Sequence, residues 1–291
     1  MAICDLCPRH CGTDRSKNPG FCGGTDTVRL ARVSLHEWEE PVISGARGSG
    51  TVFFCGCSLG CVFCQNRAIS RGGVGKEVSV LRLADIFREV EALGAHNINL
   101  VTPMHYAPQI IKALELAKPT IPVAINSGGY ESPETVRLFS GYASVFMPDL
   151  KCVSSEISRK YMNAPDYFER ACECISAMHE LAPKLTYLPD GTLKRGLIVR
   201  HLILPGHRAD SIRVLDALNA LLPPKSWLLS LMSQFTPTEN CKNYPEINRK
   251  ITSFEYSSVA KHAVSLGMDG FMQEKSSASE DFIPDFDLRG V

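Results

Sequence analysis

Six short apolar stretches recur along the chain after residue 50. Each is rich in Val, Ile, Leu or Phe and has too few polar positions for a strand with one solvated face. They are TVFF at 51–54, NINLVT at 97–102, IPVAIN at 121–126, ASVFMPDL at 143–150, GLIVRHLIL at 196–204 and WLLSLMSQF at 227–235. Stretches of this kind predict strands buried on both faces, as in a parallel sheet.

Amphipathic segments separate these stretches and predict helices. In the segment at 80–94 the apolar residues form one helical stripe, made of Leu83, Ile86, Phe87, Val90 and Leu93, and Gly94 ends it. Ser132 followed by Pro133 is typical of a helix start. Further helices are predicted at 106–117, 166–182, 208–221 and 252–266. The alternation predicts an α/β fold, and six strands, fewer than the eight of a closed barrel, predict a partial, open parallel (β/α)6 barrel.

Three regions follow from this pattern. Residues 1–50 do not share the strand–helix alternation and are predicted to form a small Cys-rich, metal-binding N-terminal module. Residues 51–275 form the predicted partial barrel. Residues 276–291 are a polar, acidic C-terminal tail, which would pack as an extended strap or be loosely held.

The charge balance and the apolar segments of the chain indicate which partners and locations are expected. The 31 basic residues balance the 31 acidic residues, so no bulk charge indicates nucleic acid or an anionic membrane as a partner. The first residues lack the apolar core of a secretion signal, and no run of about 18 apolar residues predicts a membrane span. We therefore expect a cytoplasmic protein.

The cysteines are unusually many and closely set. Eight of the twelve lie in the first 64 residues. Disulfides need an oxidising compartment, which a chain without a secretion signal is not expected to reach. Closely set cysteines in such a chain indicate thiolate metal ligands.

One cysteine group directly follows the first predicted strand. Cys57, Cys61 and Cys64 have the spacing Cys-x3-Cys-x2-Cys. Three thiolates can bind three irons of a [4Fe–4S] cluster and leave the fourth open to a small chelating molecule. Structural zinc or chance spacing is the alternative. Cys55, two residues earlier, could replace one ligand but lies outside this spacing and is interpreted as a buried non-ligand.

This motif resembles the signature of the radical S-adenosylmethionine superfamily, including an aromatic residue, Phe63, just before the last ligand. Beyond the motif, the chain is most similar to the pyruvate formate-lyase activating enzyme group, in particular its uncharacterised activase-like branch. The Met-Pro-Asp-Leu-Lys at 147–151 and the Arg-x4-Pro-Gly at 200–206 match strand ends of that group. The chain departs from it at 102–104, where Thr-Pro-Met stands in place of the Gly-Gly-Glu that binds the methionyl amine.

Polar residues within the apolar strands suggest one shared cavity. The predicted cofactor-binding residues are Thr102, Asn126, Asp149, Lys151 and Arg200. Each lies near the carboxyl end of a predicted strand, where α/β barrels have their active sites, and burial without a partner would be unfavourable. Arg200 and Lys151 could bind a carboxylate or ribose of the cofactor. The alternative is that each is a core or rim residue with its own partners.

A second cysteine group lies in the N-terminal module. Cys4, Cys7, Cys11 and Cys22 could close a tetrahedral zinc site or ligate a complete second iron–sulfur cluster, and the sequence does not decide between them. Such a site would be structural or would relay electrons. Free buried cysteines are the alternative.

The resemblance implies a function. A reduced cluster would cleave S-adenosylmethionine to a 5′-deoxyadenosyl radical, which abstracts a hydrogen atom from the substrate. A flavodoxin or ferredoxin would supply the electron. The substrate is not encoded in these motifs: a glycyl radical protein or a peptide is the first hypothesis and a small molecule the second. The non-enzyme alternative is an iron–sulfur or zinc-binding protein for electron transfer or interaction.

Overall fold

The strands of the molecule form one mixed sheet in the residues that this computed structural model describes, 3–273 and 285–291. In chain order they are β1 (Val28–His36), β2 (Ser49–Phe54), β3 (Lys76–Val78), β4 (Ile98–Val101), β5 (Val123–Ser127), β6 (Val145–Pro148), β7 (Thr186–Tyr187), β8 (Leu193–Leu202), β9 (Leu228–Met232) and β10 (Gly270–Met272). Their spatial order is β10-β9-β8-β6-β5-β4-β2-β1-β3, and β7 pairs with β8.

The run from β2 to β10 is parallel and follows the chain order, whereas β1 pairs antiparallel with both β2 and β3. A parallel sheet with sequential strand order and helical connections is a partial α/β barrel, so the predicted fold class is confirmed. All six predicted strands are present. They are continuous apolar stretches because β4, β5, β6 and β9 are buried along their whole lengths.

Four strands of the described residues were not predicted, namely β1, β3, the two-residue β7 and β10. The strand β10 adds a seventh parallel strand, but its three residues give too short a pattern to recognise. The strand β1 alternates apolar and polar residues, and a register shift between Leu30 and Arg32 interrupts the alternation. Short β3 pairs with the start of β1. The N-terminal region therefore supplies a strand beside the barrel.

Helices connect the parallel strands. They are α1 (Pro41–Ser44), α2 (Arg67–Ser70), α3 (Val80–Ala92), α4 (Ala107–Ala117), α5 (Pro133–Arg137), α6 (Ser155–Met162), α7 (Tyr167–Leu181), α8 (Arg208–Leu221) and α9 (Ser253–Ser265), with short 3-10 turns at Met104–Tyr106 and Glu239–Asn243. No helix of the described residues is long and apolar enough to cross a membrane.

The longest predicted stripe shows where sequence periodicity is reliable. Ser79 caps α3 by accepting a hydrogen bond from the amide of Arg82 at 3.1 Å. Four residues of the predicted stripe are buried against the sheet, but Leu93 is 63% exposed. Leu93 is the C-cap of α3 and still has helical dihedrals, so it continues the stripe at the exposed end of the helix before Gly94 turns the chain away with φ +80°.

The barrel interior is filled at the amino ends of the strands. Ile43 of α1 packs there with apolar side chains of β5, β6, β8 and β9, namely Ala124, Val145, Met147, Ile198 and Leu228. Side chains alternate along a strand, so the next inward position on β5 is Asn126 and the next on β8 is Arg200. The plug formed by α1 therefore closes one end of the barrel and leaves the polar cavity at the other.

The C-terminal residues 285–291 pack against β1. The amide of Leu288 donates to the carbonyl of Ala31 at 3.1 Å, and the amide of Val33 donates to the carbonyl of Arg289 at 2.8 Å. Phe286 packs edge-on against Phe53 with ring centroids 5.4 Å apart. This end of the predicted tail is a strap, while residues 274–284 lie outside the described residues.

The plug gives a stability prediction. Ile43→Ala should lower the free energy of unfolding by roughly 2–5 kcal/mol, because a fully buried side chain is removed from a packed interior. The control is Leu81→Ala at a 67% exposed position of α3, which should change stability by no more than about 0.5 kcal/mol. Chemical denaturation measures both, and equal effects would contradict the packing assigned to α1.

Candidate active site

The loop after β2 brings three cysteines to one cavity. Cys57, Cys61 and Cys64 all line a cavity of about 260 Å³ at the carboxyl end of the strands. The thiols of Cys61 and Cys64 are close enough to Cys57 to help raise its pKa, after the larger effect of burial. The three half-buried thiols therefore lie together at the place where parallel α/β barrels have their active sites.

Neighbouring elements fix the path of this loop. The amide of Val62 donates to the carbonyl of Tyr161 at the end of α6, at 2.8 Å. The amide of Cys57 donates to the carbonyl of Cys22 at 3.0 Å. Gly56 has φ +92°, and a Cβ there would lie 2.5 Å from the same carbonyl oxygen. Glycine is therefore required where the N-terminal module meets the loop.

The chemistry of these thiols suits a metal cluster. Burial raises the pKa of Cys61 to about 12, although the cation of Lys151 opposes the rise. A buried thiol in this state is a poor nucleophile, whereas coordination to iron deprotonates it and offsets its burial. The three cysteines thus fit a cluster bound through three of its irons.

Cys55 does not join this group. Its thiol donates to the carbonyl of Val74 at 3.1 Å and packs with Ala31 and Ile69. The interpretation of Cys55 as a buried non-ligand agrees with this position.

A network of paired charges, with Asp149 buried at its centre, lies beside the cysteine loop. The guanidinium of Arg200 donates to Asp149 at 3.0 Å and to the side-chain oxygen of Asn126 at 2.7 Å. The ammonium of Lys151 pairs with the other oxygen of Asp149. Burial alone would raise the pKa of Asp149, but Lys151 and Arg200 hold it below its usual value, so Asp149 is ionised.

Thr102 completes the set of predicted cofactor-binding residues. It follows β4 with φ +55°, which is unfavourable for a β-branched residue. Its amide donates to the carbonyl of Asn126 at 2.8 Å, which holds the backbone in this conformation. Thr102, Asn126, Asp149, Lys151 and Arg200 all line the same cavity as the three cysteines. The structure brings the residues together, and their contacts with a cofactor stay a prediction.

Sequence reasoning missed two residues of the site. Glu39, in the loop between β1 and α1, lines the cavity and lies 3.7 Å from Arg200. Nothing in the local pattern marks it, because its partners come from distant strands. Tyr167 of α7 donates to the carbonyl of Asp149 at 2.8 Å and accepts from the amide of Lys151 at 3.1 Å. It fixes the backbone that presents both charges.

The four N-terminal cysteines lie together outside the cavity. A Cβ on Gly20 would lie 3.4 Å from the sulfur of Cys11 and 3.6 Å from that of Cys22, so a side chain there would fill the space between them. Burial raises the pKa of Cys7 to about 12, and the nearby thiols of Cys22 and Cys4 add to the rise. The four thiols are therefore neighbours in this structure, and a metal bound by them stays a prediction.

Two further observations concern where a metal or a substrate could bind. No group of three or more His, Cys, Asp or Glu side chains in the described parts of the chain is spaced to hold a single metal ion. A larger groove of about 830 Å³ lies at the opposite end of the barrel, beside Lys118, Val123 and Lys194. Because no predicted site residue lines it, the smaller cavity is the candidate active site.

Comparison with known proteins agrees with this geometry. Residues 51–195 match the model of the Radical SAM superfamily. The match supports a place for the chain in the radical SAM superfamily. Members of this superfamily are enzymes that use a [4Fe–4S] cluster and S-adenosylmethionine. The matched residues contain the cysteine loop, Thr102, Asn126, Asp149 and Lys151, and Arg200 lies just beyond their end.

Individual relatives are more distant. An uncharacterized protein of Methanocaldococcus jannaschii is 28% identical over 275 residues, which cover 91% of this chain and 75% of the relative. The structure of Streptococcus suis SuiB bound to S-adenosylmethionine has a TM-score of 0.51 at 13% identity, over 75% of this chain and 48% of that chain. A methylornithine synthase structure has a TM-score of 0.50 at 13% identity, and the match covers 72% of this chain and 59% of that chain. The chain spans only about half the length of these two structures, and the likeness concerns the fold.

The charge network gives a binding prediction. Lys151→Ala should weaken S-adenosylmethionine binding by about tenfold or more, because a charge-assisted hydrogen bond of roughly 1.5–3 kcal/mol to the cofactor carboxylate is lost. Lys118→Ala, a change at the opposite end of the barrel, is the control. Equilibrium binding to the reconstituted protein measures both, and an unchanged affinity in Lys151→Ala would remove this residue from the binding site.

Proposed function

We propose that this chain reductively cleaves S-adenosylmethionine and uses the resulting radical to abstract a hydrogen atom from a substrate. The observation that carries the proposal is that three half-buried cysteines and a network of paired charges line one cavity. Cys57, Cys61 and Cys64 would ligate a [4Fe–4S] cluster and leave one iron open. An electron carrier or a zinc protein needs no charged cavity beside its metal, which argues against the non-enzyme alternative.

Each polar residue of the cavity has a proposed role. The cluster and S-adenosylmethionine supply the radical chemistry when bound. Lys151 lies between the cysteine loop and Asp149, where its ammonium can bind the cofactor carboxylate. Asn126 and Thr102 offer hydrogen-bonding groups along the same wall. Buried Phe63 packs 6.1 Å from Phe235 and helps to exclude water.

The finer assignment concerns substrate and partners. The Asp-Leu-Lys and Arg-x4-Pro-Gly strand ends support a relation to the pyruvate formate-lyase activating enzyme group. We therefore propose a glycyl radical protein or a peptide as substrate and a flavodoxin or ferredoxin as electron donor. The Thr102-Pro103-Met104 segment departs from that group, so the methionyl amine would be bound differently here.

The N-terminal cysteines have a separate proposed role. Cys4, Cys7, Cys11 and Cys22 would bind zinc or a second iron–sulfur cluster in a closed site. The contact between the carbonyl of Cys22 and the amide of Cys57 supports a centre that stabilises the active-site loop or passes electrons to it.

Radical cleavage is tested by product formation. The anaerobically reconstituted protein, given S-adenosylmethionine and dithionite, should accumulate 5′-deoxyadenosine, measured by chromatography. Cys57→Ala, Cys61→Ala and Cys64→Ala should each abolish it, because each removes a cluster ligand. Cys55→Ala is the matched control and should retain product formation. A wild-type protein that binds only zinc and forms no nucleoside would refute the proposed function.

The second metal site is tested by metal analysis. Replacing Cys4, Cys7, Cys11 and Cys22 with Ala should remove one metal complement and leave the cluster at Cys57 assembled. If the site binds zinc, the variant should lose the zinc and unfold at a lower temperature. If it binds a second cluster, the iron content should fall by about four atoms per chain, the content of one [4Fe–4S] cluster. Replacing Cys172 and Cys174 of α7 is the control for general thiol loss. The second site would be ruled out if the wild-type protein contained only the iron of one cluster and the quadruple variant contained the same amount of metal.

A further inference from the structure

Two carboxylates, those of Glu39 and Glu40, lie toward the end of the cavity that is farthest from the cysteine loop, and a third, that of Asp149, lies nearer the loop. Glu39 lies in the cavity wall, and Glu40 follows it into the barrel interior, where it is 9% exposed. Both act on the guanidinium of Arg200, together with Asp149. Only Arg200 and Lys151 supply positive charge among the groups paired in this network. The network therefore has one carboxylate more than it has cations.

Buried acceptors at this end also lack donors. Asn99 of β4 is fully buried and donates to Glu39 at 3.0 Å, but its own side-chain oxygen has no hydrogen-bond partner among the described residues. Within the same part of the chain, one side-chain oxygen of buried Glu40 also has none. Buried polar atoms are nearly always paired, so unpaired acceptors beside an excess carboxylate indicate that a donor enters from outside.

The contacts between these charged residues show that the Glu39 end of the cavity is distinct from the end beside the cysteine loop. Lys151 and Asp149 act on the thiol of Cys61, so they are at the cluster end. Arg200 comes next, and Glu39 lies beyond Arg200. A cofactor bound at an open iron would occupy the cluster end. Glu39 would then face the substrate.

We propose that Glu39, supported by Glu40 and Asn99, binds a protonated nitrogen of the substrate, an ammonium or a guanidinium on an aliphatic chain. Glu39 is the carboxylate of this group that lines the cavity, and with Glu40 beside it the local negative charge is complementary to such a group. Trp38, at the exposed edge of the same cavity, offers an apolar surface to the chain that carries the cation. The inference rests on the proposed radical function and names the class of substrate for it.

The test compares three probes of similar size on the reconstituted protein loaded with S-adenosylmethionine. The probes are n-pentylammonium, 1-pentanol and pentanoate, and calorimetry at pH 8 gives their affinities. The ammonium should bind about tenfold or more tightly than the alcohol, because only it forms charge-assisted hydrogen bonds with Glu39. Equal affinities, no measurable binding of the ammonium or tighter binding of pentanoate would overturn the inference.

Variants identify the residue responsible. Glu39→Gln should lose about tenfold of the ammonium affinity while the affinity for the alcohol stays the same. Glu37→Gln, an exposed acid of the same loop, is the control and should change neither. An unchanged ammonium preference in Glu39→Gln would overturn the assignment, and if this variant does not fold, the wild-type comparison of the three probes decides.

A parallel measurement separates the two proposals. The same wild-type preparation is assayed for 5′-deoxyadenosine without any probe. Nucleoside formation without an ammonium preference would overturn this inference and leave the proposed function in place. Absence of nucleoside would refute the proposed function itself.

Discussion

The arrangement of the cavity depends on one largely enclosed cation, the guanidinium of Arg200, whose side chain is 16% exposed. A charge inside a barrel is tolerated only when its donors are paired, because desolvation is costly. Arg200 reaches Asp149 on the segment after β6, Asn126 on β5 and Glu39 on the loop before α1. One side chain of β8 thus ties together two other strand ends and a loop from the N-terminal region. The polar face of the barrel is organised around it.

This network is better understood as preparation for binding than as a source of stability. Replacing a buried ion network with apolar residues is often neutral or stabilising, so its presence alone contributes little net free energy of folding. The network instead places charges of opposite sign at the two ends of the cavity: Lys151 faces the cysteine loop, and Glu39 faces the far end. Burial and the nearby Glu40 raise the pKa of Glu39 to about 7, which leaves this carboxyl responsive to a cation that enters the site.

The N-terminal module and the cysteine loop form one structural unit although 34 residues lie between Cys22 and Cys57. The carbonyl of Cys22 accepts from the amide of Cys57, and Arg9 donates to the carbonyl of Ser58 at 2.9 Å. Arg71 donates to the carbonyl of Leu59 at 2.7 Å and to that of Phe21 at 2.8 Å. A change of metal content in the module would therefore act directly on the backbone of the active-site loop.

The sequence by itself determined the parallel α/β class, the six main strands and the cysteine loop, because continuous apolar stretches and close ligand spacing are local signals. It also indicated the five polar residues at strand ends, since parallel strands end at one edge of a sheet. The strand β1 was not predicted, because a bulge interrupts the alternation of its apolar and polar residues. The place of Glu39, Glu40 and Asn99 was decided only by the tertiary structure. Their partners lie on β8 and β4, far away in sequence, and only closure of the sheet into a partial barrel brings these charges and unpaired acceptors together.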